Sequence, residues 1–218
     1  MTSNYEPPAT CPGVPVTWTL ETGRTWYRIS KRPFKPDQFN FTKADNPYKG
    51  GRFDSLSGDF GYTYLASTLA SAVDEVLLRD APFSNLGARS VPSASLIDRY
   101  YVEIDLQDDL ELLNLISVDA LAQVGQGYWL TDCDGFDYMH TRFWTQTLRS
   151  WAPNVSGFVW RPRHNHEDLA VVLFKDVSPT TLRADPVVAA KSPEVPISGG
   201  VGRDEIANIL AQRHAWLS

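Results

Sequence analysis

Hydrophobic and polar positions alternate from Tyr100 to Leu106, the period of two expected of a half-buried strand. A second strand is read at Thr25–Ser30, rich in β-formers, and a short third one at Tyr62–Ala66. The third runs directly into Ser67-Thr68, which predict a helix N-cap. Leu69, Val73, Val76 and Leu77 then fall on one face of a helix reaching Arg79. Tyr138 to Trp151 reads as a second amphipathic helix, with Phe143, Trp144, Thr147, Leu148 and Trp151 on its apolar side. Gly157–Trp160 and Leu169–Phe174 are apolar runs flanking the polar stretch Arg161–Asp168, as in a hairpin.

The intervening stretches carry weaker signals. Residues 1–16, with Pro7, Pro8, Pro12, Gly13 and Pro15, read as an extended tail, and Pro82–Pro92 as a loop. Leu110–Gln123 reads as one or two short helices ended by Gly125 and Gly127. Residues 178–203, rich in Pro, Ser and Gly, read as a linker, and Arg203–Ala215 as a last helix packed outside the core or on a partner. No repeat or heptad is present. The pattern predicts an α+β fold of mostly antiparallel strands with flanking helices. It divides into an N-terminal extension (1–24), a central domain (25–176), and a linker with a C-terminal helix (177–218).

Composition narrows the class. No apolar run approaches the roughly 20 residues of a membrane span, and the first eight residues lack the basic and apolar regions of a signal peptide. Cys11 and Cys133 form neither a metal-ligand spacing nor a disulfide framework, so a cytoplasmic protein is expected. The net charge of −6 argues against nucleic acid as a direct partner. That charge is unevenly spread. Residues 24–52 hold eight Lys or Arg against two Asp, whereas residues 103–139 hold nine Asp or Glu and no Lys or Arg. Two readings stay open: a local anionic ligand for the basic segment, or two segments facing each other in the fold.

Four features occur together in order: Trp26-Tyr27-Arg28-Ile29, Gly50-Gly51-Arg52-Phe53, Tyr62–Ala66 leading into Ala72-Val73-Asp74-Glu75, and Gly157-Phe158-Val159-Trp160-Arg161-Pro162-Arg163-His164. As an ordered set spanning Thr25 to Phe174 they resemble the RES domain, the toxin half of a bacterial toxin–antitoxin pair. The resemblance implies a core like that of the ADP-ribosyltransferases, with NAD as substrate in a cleft between two small sheets. It also implies that NAD is consumed, by hydrolysis or by phosphorolysis to ADP-ribose phosphate. The family's essential arginine falls on Arg28, its second on Arg52, its aromatic on Tyr64 with Tyr62 close by, and its helix glutamate on Glu75. Arg163 would complete the rim. The family pattern places Ser where this chain has Pro162, so a hydroxyl and a backbone N–H are lost there. An Xre-like antitoxin is the implied partner, and a homodimer is compatible with the family.

These residue types suit the chemistry. Departure of nicotinamide leaves C1′ of the ribose resembling an oxocarbenium ion, which a carboxylate such as Glu75 can stabilise. Forked guanidinium groups such as those of Arg28 and Arg52 bind phosphates, and an aromatic such as Tyr64 stacks on a flat ring. Each also has a plainer reading. Glu75 stands four residues before Arg79, the spacing of a surface ion pair. Asp74 is read as solvated. Arg28 could pair with a buried acid, Arg52 could decorate a plain turn, and Tyr62 and Tyr64 could be core. No metal is required: His164-Asn165-His166-Glu167 lacks a third ligand, and Asp132–Asp137 has its glycine out of register for calcium. A RES-like module that binds NAD without turnover, and transfer of ADP-ribose to a protein, are the alternative functions.

Overall fold

The computed structural model describes residues 5–178, 183 and 185–218. In chain order the strands are β1 (Thr17–Leu20), β2 (Trp26–Lys31), β3 (Phe60–Ala66), β4 (Arg89–Val91), β5 (Arg99–Leu106), β6 (Leu110–Asn114), β7 (Gly157–Trp160), β8 (Ala170–Asp176), β9 (Val188–Ala190), β10 (Val195–Pro196) and β11 (Ala215–Leu217). The helices are α1 (Leu69–Val73), α2 (Val118–Gln123), α3 (Trp129–Asp132), α4 (Tyr138–Trp151) and α5 (Gly200–Ala211). The main sheet runs β1-β6-β7-β8-β3-β2-β5-β10, with β9 also on β5. Every pair in it is antiparallel except β6 with β7, so the α+β, mostly antiparallel expectation is what the chain adopts.

The sheet is two half-sheets that barely touch. β3 pairs with β8 along its whole length, from Phe60↔Asp176 to Ala66↔Ala170. β2 pairs with β5 from Trp26↔Ile104 to Lys31↔Arg99. Between them β2 and β3 share one register point, Tyr27↔Ala66, and splay apart beyond it. One core packs Phe158, Trp160 and Phe174 of the first half, with Phe53 of the loop before β3, against Trp144 and Leu148 of α4. A second lies on the opposite face and joins the halves through Leu65, Val171 and Leu173 with Trp26, Val102 and Ile104. A third gathers Val73, Leu78, Val91, Ile206, Leu210 and Ala215 under α1 and α5.

Several elements differ from the sequence reading. Leu110–Asn114 is a strand and not a helix: Leu, Glu and Asn carry no β signal, and pairing with β1 and β7 on both edges decides the matter. β1 lies in the residues read as an extension, and β4 in the stretch read as loop. β9 and β10 lie within the residues read as linker, and α5 begins there at Gly200. The part of that stretch at 179–182 and 184 lies outside the described residues. The chain's end is a strand on β4, so helix α5 closes at Ala211 and its Ile206 and Leu210 are core. In α4 Phe143 faces solvent, while Arg142 and Thr141 are buried.

Candidate active site

Where β2 and β3 separate they leave a cleft of about 360 Å3. Arg28 and Ser30 line it from β2, Tyr62 and Tyr64 from β3, Arg52 from the Gly50-Gly51 turn, and Glu75 and Arg79 from the helix above. Sequence thus named five of the residues that the splayed strands bring together: Arg28, Arg52, Tyr62, Tyr64 and Glu75. Lys31 and Arg99 add further positive charge, against Asp54 and Glu75 as the acids.

Arg28 is 8% exposed. Its Nη1 donates to the carbonyl of Pro36 at 2.6 Å, and no ion pair holds it among the described residues. Burial lowers its pKa, while Tyr100 and Asp37 pull it back up from a distance. A guanidinium stays charged even so, which leaves a desolvated cation facing the cleft. Arg52 is placed differently. Its Nη1 donates to the Cys133 Sγ at 2.9 Å and the Leu130 carbonyl at 3.2 Å, and its Nη2 to the Cys133 carbonyl at 3.2 Å. Its guanidinium also lies 4.9 Å from the centre of the Tyr138 ring. Its charge faces the cleft, but these donors tie the turn to α3.

Glu75 sits on a π-helical turn, Asp74–Leu78, that continues α1 after the Thr68 cap, whose side chain accepts from the Ser71 N–H. A π turn holds more residues than an α turn, so residues four apart no longer eclipse. Arg79 accordingly pairs with Asp80 at 3.1 Å, and no hydrogen bond or ion pair engages Glu75 among the described residues. Desolvation raises the Glu75 pKa, and Arg52 and then Arg79 act to lower it. Asp74 is not solvated as its sequence position implied: it is 1% exposed and paired with Arg213 at 2.5 Å.

Tyr64 donates its hydroxyl to Asp54 Oδ1 at 2.7 Å and accepts from the Phe53 N–H at 2.9 Å. Burial first, and the Asp54 charge second, hold its pKa well above the usual value. The Gly50-Gly51 turn lies directly over this group: a Cβ on Gly51 would stand 2.7 Å from the Tyr64 hydroxyl, and Gly50 has φ +100°. Tyr62 accepts from Asn40 Nδ2 at 3.1 Å and donates to the Thr42 carbonyl at 3.2 Å. Burial, then Asp54, also raise its pKa. No ion pair joins residues 24–52 to residues 103–139 among those described. The basic segment instead sends Arg28, Lys31 and Arg52 to the cleft.

The family model of the RES domain matches residues 25–197, most of the chain. The chain belongs to the RES-domain family. Among solved structures it is similar to a chain of the M. tuberculosis MbcT–MbcA toxin–antitoxin complex, with TM-score 0.55 and 14% identity over 88% of this chain and 92% of that one. At that identity the likeness establishes the shared fold. A search of curated proteins gave no match. Among the described residues no helix is long and apolar enough to cross a membrane.

The matched span of the RES domain runs past Phe174 to Ile197 and so takes in β9 and β10. Arg163 does not join the cleft in this RES domain. It is not among the cleft's lining residues; it pairs with Asp134, lines a neighbouring hollow, and shares a small recess with Arg52, Glu75 and Arg79. Pro162 is buried and is not among the residues lining the cleft. Two contributors escaped sequence reading. Arg142 donates to the carbonyls of Ala44 (2.8 Å), Asn46 (2.9 Å), Lys49 (2.6 Å) and Gly51 (3.0 Å), and so fixes the loop that ends in the Gly-Gly turn. Arg99, whose Nε donates to the Ser95 carbonyl at 2.8 Å, has its pKa lowered by burial and by the like charge of Arg79. A charged residue on an otherwise apolar helix face was the one signal for Arg142; nothing in sequence marks Arg99.

Proposed function

We propose that this RES domain cleaves the nicotinamide–ribose bond of NAD and acts as the toxin of a toxin–antitoxin pair. The observation that carries the reading is the pairing of opposites in one cleft: a desolvated cation, Arg28, with no ion pair among the described residues, and a desolvated carboxyl, Glu75, with no hydrogen bond or ion pair among them. A dinucleotide supplies both complements, phosphate for Arg28 and the cationic nicotinamide ribose for Glu75. In the reaction the C1′–N bond breaks and its electron pair returns to the ring nitrogen, releasing neutral nicotinamide. The positive charge passes to C1′ and the ring oxygen, where the Glu75 carboxylate offsets it. An oxygen of water or phosphate then bonds to C1′, and where water attacks, its proton leaves to solvent. Tyr64, hydrogen-bonded on both sides of its hydroxyl, offers a fixed ring against which nicotinamide can pack.

The test is nicotinamide release from NAD by purified protein, with and without phosphate, beside Glu75→Gln. Release that the variant reduces at least ~100-fold supports the assignment, and its phosphate dependence names the acceptor. Retained release in Glu75→Gln sinks it. Pro162 motivates a second reading, a domain that binds NAD silently, for which NAD would raise the melting temperature without yielding product. Label from NAD remaining on protein would mark ADP-ribose transfer instead. The likeness to a chain from a toxin–antitoxin complex supports an antitoxin partner; that it is Xre-like and covers the cleft is what the family resemblance implies.

A further inference from the structure

A second hollow of about 540 Å3 lies beside the cleft and shares Gly50, Arg79 and Tyr138 with it. Most of its charges are already matched. Arg79 pairs with Asp80, Arg163 pairs with Asp134, and Arg142 is engaged by loop carbonyls. Arg89 is not matched. It is 7% exposed, has no ion pair among the described residues, and its Nε is buried without a hydrogen-bond partner. Its Nη2 reaches the Arg213 carbonyl at 3.4 Å, and its guanidinium stands 4.5 Å from the centre of the Phe83 ring. Its backbone is fixed by β4, where the Arg89 N–H donates to the His214 carbonyl at 2.8 Å. A buried guanidinium is costly until its charge and its N–H groups are met. Around the same hollow Tyr48, Phe83 and Phe136 stand exposed, an unusual concentration of aromatic surface for a polar rim.

We propose that this hollow binds a nucleotide, with its phosphate on Arg89 and its base against Phe83 and Phe136. An anion completes the guanidinium, and flat aromatic side chains provide stacking surface that any base can use. Two sources share this chemistry. One is a separate mononucleotide. The other is the far half of a dinucleotide held in the cleft and reaching past Gly50 and Tyr138; this one rests on the proposed NAD activity.

Titration calorimetry of AMP against the intact protein tests the site. AMP should bind, and Arg89→Gln should weaken it roughly thirtyfold, the loss of one charge-assisted phosphate contact. Because Arg89 is buried and its replacement risks the fold, Phe83→Ala and Phe136→Ala are measured beside it; their exposed rings leave the core alone, and each should cost about tenfold. No AMP binding by the parent, or affinity unchanged in folded Arg89→Gln, overturns the proposal, as does affinity unchanged in both phenylalanine variants. Repeating the titration with ADP-ribose at saturation separates the sources: AMP excluded means the hollow holds the far half of the dinucleotide, and AMP still bound means a separate nucleotide. None of these readouts needs turnover, so a protein that fails to release nicotinamide still decides the question.

Discussion

The two walls of the cleft are built on opposite terms. On the β3 side the named site residues are held by protein partners: Tyr64 by Asp54 and Phe53, Tyr62 by Asn40 and Thr42, Arg52 by Leu130 and Cys133, and Arg142 by four loop carbonyls. On the β2 and helix side Arg28 and Glu75 are desolvated, and neither makes an ion pair among the described residues. The contrast separates residues that hold a shape from residues that wait for a ligand. An arginine's type cannot tell the two roles apart; the fate of its donors can. Arg28 and Arg52 look alike in sequence and fall on different sides of that line.

Three substitutions can break or sharpen the contrast. The largest effect is expected of Arg142→Ala, which removes a buried guanidinium that donates to four loop carbonyls. It should lower unfolding free energy by about 3 kcal/mol, read from the midpoint of chemical denaturation. A variant of unchanged stability with altered NAD affinity would move Arg142 to the ligand side. Next comes Arg28→Gln. It should weaken NAD binding by about 2 kcal/mol, roughly thirtyfold, while stability holds or rises because a buried charge is gone. A large stability loss with normal NAD affinity would make Arg28 scaffold.

The smallest effect is on the stability of Glu75→Gln. A raised pKa means that the folded chain holds this proton more tightly than the unfolded chain does. Below the usual carboxylate range both forms are protonated and nothing is lost. As pH rises from that range through the raised value, the folded state loses stability in the parent and not in the variant. Glu75→Gln should therefore melt above the parent at neutral pH, with the gap closing in acid. A gap that persists in acid would mean that desolvation of the carboxylate is not its cause.

The sequence was readable where local pattern and tertiary pairing agree. β2, β3, β5, β7 and β8 carry β-formers or alternation, and α4 carries both its length and its apolar stripe; its bounds, Tyr138 and Trp151, are as read. β6 was misread because Leu-Glu-Leu-Leu-Asn has good helix formers, and its strand state depends on two neighbours distant in the chain. β9, β10 and β11 are two or three residues long and borrow their order from β5 and β4, so no periodicity could announce them. The site divides in the same way. Arg28, Arg52, Tyr62, Tyr64 and Glu75 sit in motifs, whereas Arg99 and Arg142 act through carbonyls and charges that only folding brings near. Asp74 looked solvated because its partner stands 139 residues away.

That distant partner has a consequence for synthesis. A chain still on the ribosome has made Asp74 and its neighbour Glu75 long before it makes Arg213. Until Arg213 and β11 emerge, the carboxylate that must be buried beside Glu75 lacks its cation, and β4 lacks the strand that holds Arg89. The helix carrying Glu75 therefore gains its final support only once Arg213 has been made, and a chain stopped short of Arg213 keeps an uncompensated acid beside the cleft.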